Sequence, residues 1–157
     1  DVMQELSDKQ QVEVLSHMED SEQASDVEEL LKYDEKTAGG LMMKELGEVN
    51  VNKNKIECVR QMREHADHIE DVYTIYVVDD NHELVGLVPL KKVLTVSLRE
   101  KISNVMNTEF ISVPTNMDAE EVALIMEKYD LVFVPVIDRL ARLVGRITID
   151  DVLKVIR

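Results

Sequence analysis

The sequence predicts an α+β protein: two tandem β-α-β-β-α units preceded by a short all-α segment. Three observations predict it. The chain repeats itself. Displaced by 64 positions, Leu41–His65 lies on Val105–Tyr129, and Met42, Glu45, Val49, Asn52, Glu57 and Met62 fall on Met106, Glu109, Val113, Asn116, Glu121 and Met126. Displaced by 59, Thr74–Leu94 lies on Phe133–Leu153, and Val77, Asp79, Leu84, Val85, Gly86, Val93 and Leu94 fall on Val136, Asp138, Leu143, Val144, Gly145, Val152 and Leu153. Each copy also alternates short β-branched runs with segments of helical period, whereas no strand pattern appears before residue 45.

Residues 1–33 read as helical. Val2, Met3 and Leu6 form a short apolar face. Ser7-Asp8-Lys9-Gln10 can act as a capping box for a helix through Val12, Leu15 and Met18. Asp20-Ser21 can cap a further helix carrying Ala24, Val27, Leu30 and Leu31. Helices this short cannot bury their faces alone, so the segment reads as the end of a larger helical domain. Asp34–Gly40 is polar and ends in two glycines, a connection and the first boundary candidate. The expected division is 1–40, 41–100 and 101–157.

Within each copy a short strand (Glu48–Val51; Phe110–Val113) leads to an amphipathic helix. In the second copy Asp118 is expected to cap that helix, with Val122, Ile125, Met126 and Tyr129 at helical spacing. Apolar runs follow at Val72–Val78 and Leu131–Ile137, too short for helices and ending at Asp79 and Asp138. A four-residue turn returns each chain as Glu83–Val88 or Arg142–Thr148, and a helix closes the unit at Leu90–Leu94 or Ile149–Ile156. The difference of five between the offsets is an insertion near Ala66–Asp71 in the first copy.

Composition removes several function classes. Acidic residues number 32 and basic residues 18, for a net charge of −14. That balance disfavours nucleic acid and anionic membrane surfaces, which need an electropositive footprint. The single cysteine, Cys58, permits no internal disulfide and suits a reducing compartment. No run approaches the length of a membrane span. No nucleophile with an adjacent base, phosphate-loop motif or His-Glu-x-x-His appears, so an enzyme is not expected.

The duplicated β-α-β-β-α pattern, with Leu-Val-Gly entering the last strand, resembles a pair of CBS (cystathionine β-synthase) domains over residues 41–157. Its most specific piece is Gly145-Arg146-Ile147-Thr148-Ile149-Asp150-Asp151-Val152-Leu153. Tyr33, an acidic stretch and Thr37-Ala38-Gly39-Gly40-Leu41-Met42, after a helical segment, look like the cytosolic part of an MgtE-type magnesium transporter. The resemblance implies a helical domain, a CBS pair and a connecting helix into a membrane domain of the same chain. It places the module on the cytoplasmic face of the plasma (inner) membrane and implies a homodimer through the CBS pair.

Two ligand sets follow. In CBS pairs that hold adenine nucleotides, a Gly-x-x-Thr-x-x-Asp motif supplies a hydroxyl and a ribose-binding carboxylate. The second repeat has Gly145, Thr148 and Asp151. The first has Gly86 but Pro89 and Lys92, and proline has neither hydroxyl nor N–H. ATP or another adenine nucleotide is therefore expected in one cleft of two. Thr148 is equally suited to capping a helix and Asp150-Asp151 to its first turn. The second set is for Mg²⁺, which takes hard oxygen ligands and is often held by one or two carboxylates. The family pattern carries bridging acids onto Glu120, Asp130, Asp150 and Asp151, with the Glu127 carbonyl as a further oxygen. Lys154 departs from it, standing where an acid is expected. A solvated acidic surface is the plainer reading of the same residues. His65-x-x-His68 lacks a third ligand, and Cys58, at helical spacing from Met62, reads as a core or surface thiol.

Overall fold

The structure, a computed structural model, describes residues 33–64 and 74–156. The helices expected before Tyr33, His65, His68 and the insertion lie outside the described residues. In chain order the elements are α1 (Ala38–Leu41), β1 (Glu48–Asn50), α2 (Lys55–Glu64), β2 (Thr74–Val78), β3 (Leu84–Pro89), α3 (Leu90–Thr95), α4 (Ile102–Val105), β4 (Val113–Pro114), α5 (Ala119–Lys128), β5 (Phe133–Ile137), β6 (Leu143–Thr148) and α6 (Ile149–Val155). The β-α-β-β-α order is present twice.

Each repeat builds a three-stranded sheet, β1-β2-β3 and β4-β5-β6, with a parallel first pair and an antiparallel hairpin. The parallel pair follows from the helix between its strands, which returns the chain to the same end of the sheet. Val49 faces Val77 in one sheet and Val113 faces Val136 in the other, so both sequence offsets are met in one register. A bulge falls at Val77/Val78 and again at Val136/Ile137. Both hairpins turn on an aspartate. Asp79 Oδ1 accepts from the N–H groups of Asn81 and Glu83, each at 2.9 Å, and Asp138 Oδ1 from those of Leu140 and Arg142, each at 2.9 Å. A short carboxylate reaching its own following backbone is the reason aspartate suits such a turn. His82 (φ 65°) and Ala141 (φ 63°) then take the left-handed conformation that closes each loop.

Burial alone would raise the Asp138 pKa. The hydrogen bonds from the Arg142 backbone and side chain and from the Leu140 backbone outweigh it and hold the carboxyl below its ordinary 3.8. A carboxyl depressed in the folded state contributes stability above its unfolded pKa, and that contribution is lost as pH falls through the folded value. Acid unfolding should therefore gain steepness below pH 3.8. Asp138→Asn should flatten that part of a denaturation-against-pH curve; an unchanged curve would refute the assignment.

Three local expectations are corrected. The strand at Phe110–Val113 is Val113–Pro114 instead. Phe110 and Ile111 leave the sheet and pack on apolar clusters of the core. Asp118 stands at the N-cap of α5 but makes no side-chain cap hydrogen bond. Main-chain bonding already holds that helix start, with the Ala119 N–H donating to Lys36 O at 2.8 Å, and the exposed carboxylate stays in water. The capping box forms on the other copy, where Glu57 N–H donates to Asn54 Oδ1 (3.0 Å) and Asn54 N–H to Glu57 Oε1 (3.3 Å). Finally, the Gly-ended connection is partly helical: Ala38–Leu41 forms α1, with Ala38 and Gly39 buried.

That last correction exposes how the repeats are joined. Thr37 pairs with Asp118, and Ala38 N–H donates to Met117 O at 2.8 Å. The repeat-equivalent bonds are Lys101 with Asn54 and Ile102 N–H to Lys53 O at 3.0 Å. Each opening segment therefore sits on the other repeat. Ala38 and Met42 lie in the core of Val113, Val122, Met126, Val134, Val136, Ile147 and Val152. Ile102 lies in the core of Val49, Cys58, Ile75, Val77, Val88 and Val93. Beyond α1 and α4 the exchange continues onto the sheet edges. Met43 pairs with Arg146 of β6 (2.7 and 2.9 Å), and Asn107 with Leu87 of β3 (2.7 and 3.0 Å). Covering these edges removes rows of open N–H and C=O groups. A third cluster, Tyr76, Val78, Leu84 and Leu143, seals the seam between the sheets.

Candidate functional site

The exchanged segments leave two clefts between the repeats. The larger, about 1120 Å³, lies over both aspartate turns and is walled by Lys44, Glu48, His82, Asp138, Arg139 and Arg142 among others. Two short contacts lie within the wall. His82 Nε2 lies 3.2 Å from the Glu48 carboxylate and Arg142 Nε 2.7 Å from that of Asp138. The second cleft, about 820 Å³, is more apolar. Tyr76, Leu87, Phe110, Ile111, Leu131, Val132, Phe133 and Pro135 wall it, with Thr74, Asn107, Glu109, Tyr129 and Asp130 as polar groups. An apolar cleft with a few polar groups is the usual form of a small-molecule site.

The nucleotide set borders this second cleft without lining it. Thr148 is the register partner of Phe133, and Ile149 N–H donates to Val132 O at 2.9 Å, so the start of α6 lies directly behind the cleft wall. The Thr148 hydroxyl accepts from Asp151 N–H at 3.1 Å, so the capping role is filled. The Asp151 carboxylate is 3.9 Å from Lys154 Nζ and one-third exposed. Gly145 is needed for close approach: a Cβ there would lie 2.8 Å from both Met42 Sδ and Met43 O. In the first repeat, Pro89 occupies the N-cap position of α3 without a side-chain cap.

The acids expected to meet Mg²⁺ divide into two places. Glu120 and Glu127 lie on α5, with Asp130 just beyond its end; all three are exposed. Asp150, exposed, and Asp151, half-buried, open α6, which packs against α5. Asp130 adopts φ 54° and directs its N–H to Glu127 O at 3.2 Å, a helix-ending geometry open to a short polar residue. Of the five, it lines the second of the two clefts. Among the described residues no group of three or more His, Cys, Asp or Glu side chains is arranged to hold a metal. Their carboxylates are hard oxygen donors of the kind Mg²⁺ takes, and among the described residues they close into no cage.

A family model described as "CBS domain" matches residues 38–99 and 102–157. The chain belongs to the CBS-domain family. The chain is 38% identical over 142 residues to the "Magnesium transporter MgtE" of Thermus thermophilus, covering 90% of this chain and 32% of that protein. A second relative, the "Magnesium transporter MgtE" of Enterococcus faecalis, is 35% identical over 136 residues, or 87% of this chain and 30% of its own length. The chain thus spans about a third of the curated relatives it matches. Among solved structures, the cytosolic domain of the Mg²⁺ channel MgtE in complex with ATP superposes with a TM-score of 0.81 at 39% identity, covering 87% of this chain and 55% of the other. The soluble part of a magnesium transporter gives 0.83 at 33%, covering 98% and 60%. The tandem CBS architecture expected from the repeat is thereby established. Among the described residues, no helix is long and apolar enough to cross a membrane.

One residue of the CBS pair escaped the sequence reading. Arg146 is 2% exposed, the only charged side chain buried among the described residues. Its guanidinium carbon lies 4.6 Å from the centre of the Phe133 ring, and its side chain hydrogen-bonds Tyr76. Burial pushes the Tyr76 phenol up from its ordinary pKa, with Arg146 pulling the other way. The signal available was Leu87, its apolar repeat equivalent, since a charge opposite an apolar residue in a duplicated strand marks a divergence of role.

Proposed function

We propose that the chain is a cytosolic Mg²⁺-sensing regulatory module of a magnesium transporter or channel. In this reading Mg²⁺ bridges acidic residues between domains and favours the closed state. The observation that carries it is the 38% identity to a magnesium transporter across nine-tenths of this chain. The placement of the acids supports it: exposed Glu120, Glu127 and Asp130 on one helix and its end, exposed Asp150 and half-buried Asp151 on its neighbour, none closed into a cage among the described residues. At a net charge of −14 the acids repel one another until cations screen them, which favours separated domains at low Mg²⁺.

The energetics require several sites. Moving a two-state balance from 1:99 to 99:1 takes about 5.5 kcal/mol of differential binding. A weak site at ten times its dissociation constant supplies RT ln 11, about 1.4 kcal/mol. Four such sites suffice and one does not. The module acts as a homodimer through helical apolar surface, for which exposed Leu124 on α5 and Leu153 on α6 are available. It works at the cytoplasmic face of the plasma (inner) membrane, joined to a membrane domain of the same protein.

Magnesium titration of the protein followed by small-angle scattering tests the reading. Compaction with a millimolar midpoint is expected, much reduced in the double variant Glu120→Gln/Asp130→Asn. An identical response in that variant would overturn bridging by these acids. Nucleotide sensing is the second reading, favoured by the ATP-bound relative and by Gly145, Thr148 and Asp151 standing behind the apolar cleft. Under it, AMP or ATP raises the melting temperature in chelator, and Asp151→Asn abolishes the rise.

A further inference from the structure

We propose that the helical face of the first repeat docks on an anionic phospholipid surface. This rests on the reading that the module works at a membrane, and it names the face turned toward that membrane.

The overall charge of −14 hides a local reversal. Residues 53–64 and 91–101 hold eight of the 18 basic residues and three of the 32 acidic ones, a local charge of +5. The fold brings these two stretches together. Lys55 Nζ donates to Leu94 O at 3.2 Å and to Val96 O at 2.7 Å, Lys55 N–H donates to Glu100 O at 2.9 Å, and Lys101 pairs with Asn54. Lys53 is held by Glu57 at 3.3 Å. Arg60, Arg63, Lys91, Lys92, Arg99 and Lys101 are exposed, and among the described residues none of them makes an ion pair. Apolar groups stand among these cations: Leu94 is 64% exposed, Leu98 63% and Ile56 38%. On α2, Ile56 recurs at helical spacing with Arg60 and Arg63, on the face opposite buried Cys58. Exposed aliphatic side chains on a basic background are what an interfacial anchor presents, since leucine enters the acyl boundary while lysine and arginine meet the phosphates. Salt screens beyond about 8 Å, so acids on other faces oppose the contact weakly while these cations touch the surface. The competing occupant is a second copy, whose α5 and α6 hold five acids and two bases. A two-fold dimer through Leu124 and Leu153 of both copies would leave the first-repeat face open, which favours lipid.

Vesicle co-sedimentation of the protein tests it, in chelator so that no divalent ion links a carboxylate to a phosphate. Vesicles of phosphatidylcholine mixed with phosphatidylglycerol should bind the protein, and vesicles of phosphatidylcholine alone should bind it at least about tenfold more weakly. Added salt should release it. Lys91→Gln/Lys92→Gln should weaken binding about thirtyfold. Leu94→Ser/Leu98→Ser should weaken it by at least about tenfold. Lys128→Gln/Lys154→Gln, the same charge change on the second repeat, should stay within about threefold of wild type. If the wild type ignores the mixed vesicles, or the second-repeat variant loses as much as the first-repeat one, the proposal is wrong. If the leucine variant loses its dimer in sedimentation equilibrium while the wild type binds no vesicle, the face belongs to a second copy and the proposal falls. Compaction by Mg²⁺ is read by scattering without lipid, so the sensing reading and this one fail separately.

Discussion

Ile102→Ala should cost about 4 kcal/mol, near the upper part of the range for emptying a buried isoleucine site. Ile102 is fully buried. Its neighbours are Val49, Cys58, Ile75, Val77, Val88 and Val93, all from the preceding repeat and each at most 1% exposed. Four rigid β-branched valines and an isoleucine surround the lost side chain and relax poorly into the space it leaves. Every kcal/mol lowers the melting temperature of a chain this size by about 2–4 °C, so the loss is readily measured. The exposed Ser103 on the same helix serves as control, and Ser103→Ala should stay within about 0.5 kcal/mol. Because Ile102 belongs to one repeat and its core to the other, circular dichroism and a near-ultraviolet probe should report one coincident transition in wild type and variant. A cost below about 1 kcal/mol, or two resolved transitions, would contradict the exchanged packing.

The second large effect separates two glycines that the repeat makes equivalent. The three atoms nearest an added Cβ at Gly86 all belong to the Met106 side chain, with Sδ at 2.7 Å and Cγ at 2.9 Å. A thioether with three rotatable bonds moves aside at modest cost. At Gly145 the Cβ would meet Met42 Sδ and also Met43 O, both at 2.8 Å. That oxygen accepts from Arg146 N–H at 2.9 Å and cannot retreat without breaking the pairing. Gly86→Ala should therefore cost about 1 kcal/mol and Gly145→Ala about 3 kcal/mol, the two ends of the usual range for overpacking. Urea denaturation of both variants checks the order. Equal costs would mean that the segment before β1 yields as easily as a side chain.

Much of this architecture was legible before any coordinates. The offsets of 64 and 59 carry the facing pair Val49–Val77 onto the facing pair Val113–Val136, so the duplication read in the sequence is a duplication of the sheet. The turns were legible through Asp79 and Asp138. Which repeat each opening segment packs on was not, since an offset records likeness and carries no information about partner. The pairing of a large flexible Met42 or Met106 with the glycine of the other copy was the trace it left. For the ligand residues, chemistry was legible and placement was not. Thr148 spends its hydroxyl on a helix cap, and the five acids stand apart rather than in a cage. Arg146 was hidden by strand alternation, which puts a charged residue between Gly145 and Ile147 on the outer face; the Tyr76 seam turns that face inward.

The reciprocal seating of α1 and α4 bears on how such a protein arises. A lone ancestral unit would expose its last strand and an unfilled core until a second copy lent its opening segment, so it could persist only as a self-associating pair. Duplication with fusion would turn such a concentration-dependent encounter into a tethered one, at an effective concentration in the millimolar range for a short link. Once tethered, the halves need not be identical, and Leu87 on one side stands where Arg146 stands on the other.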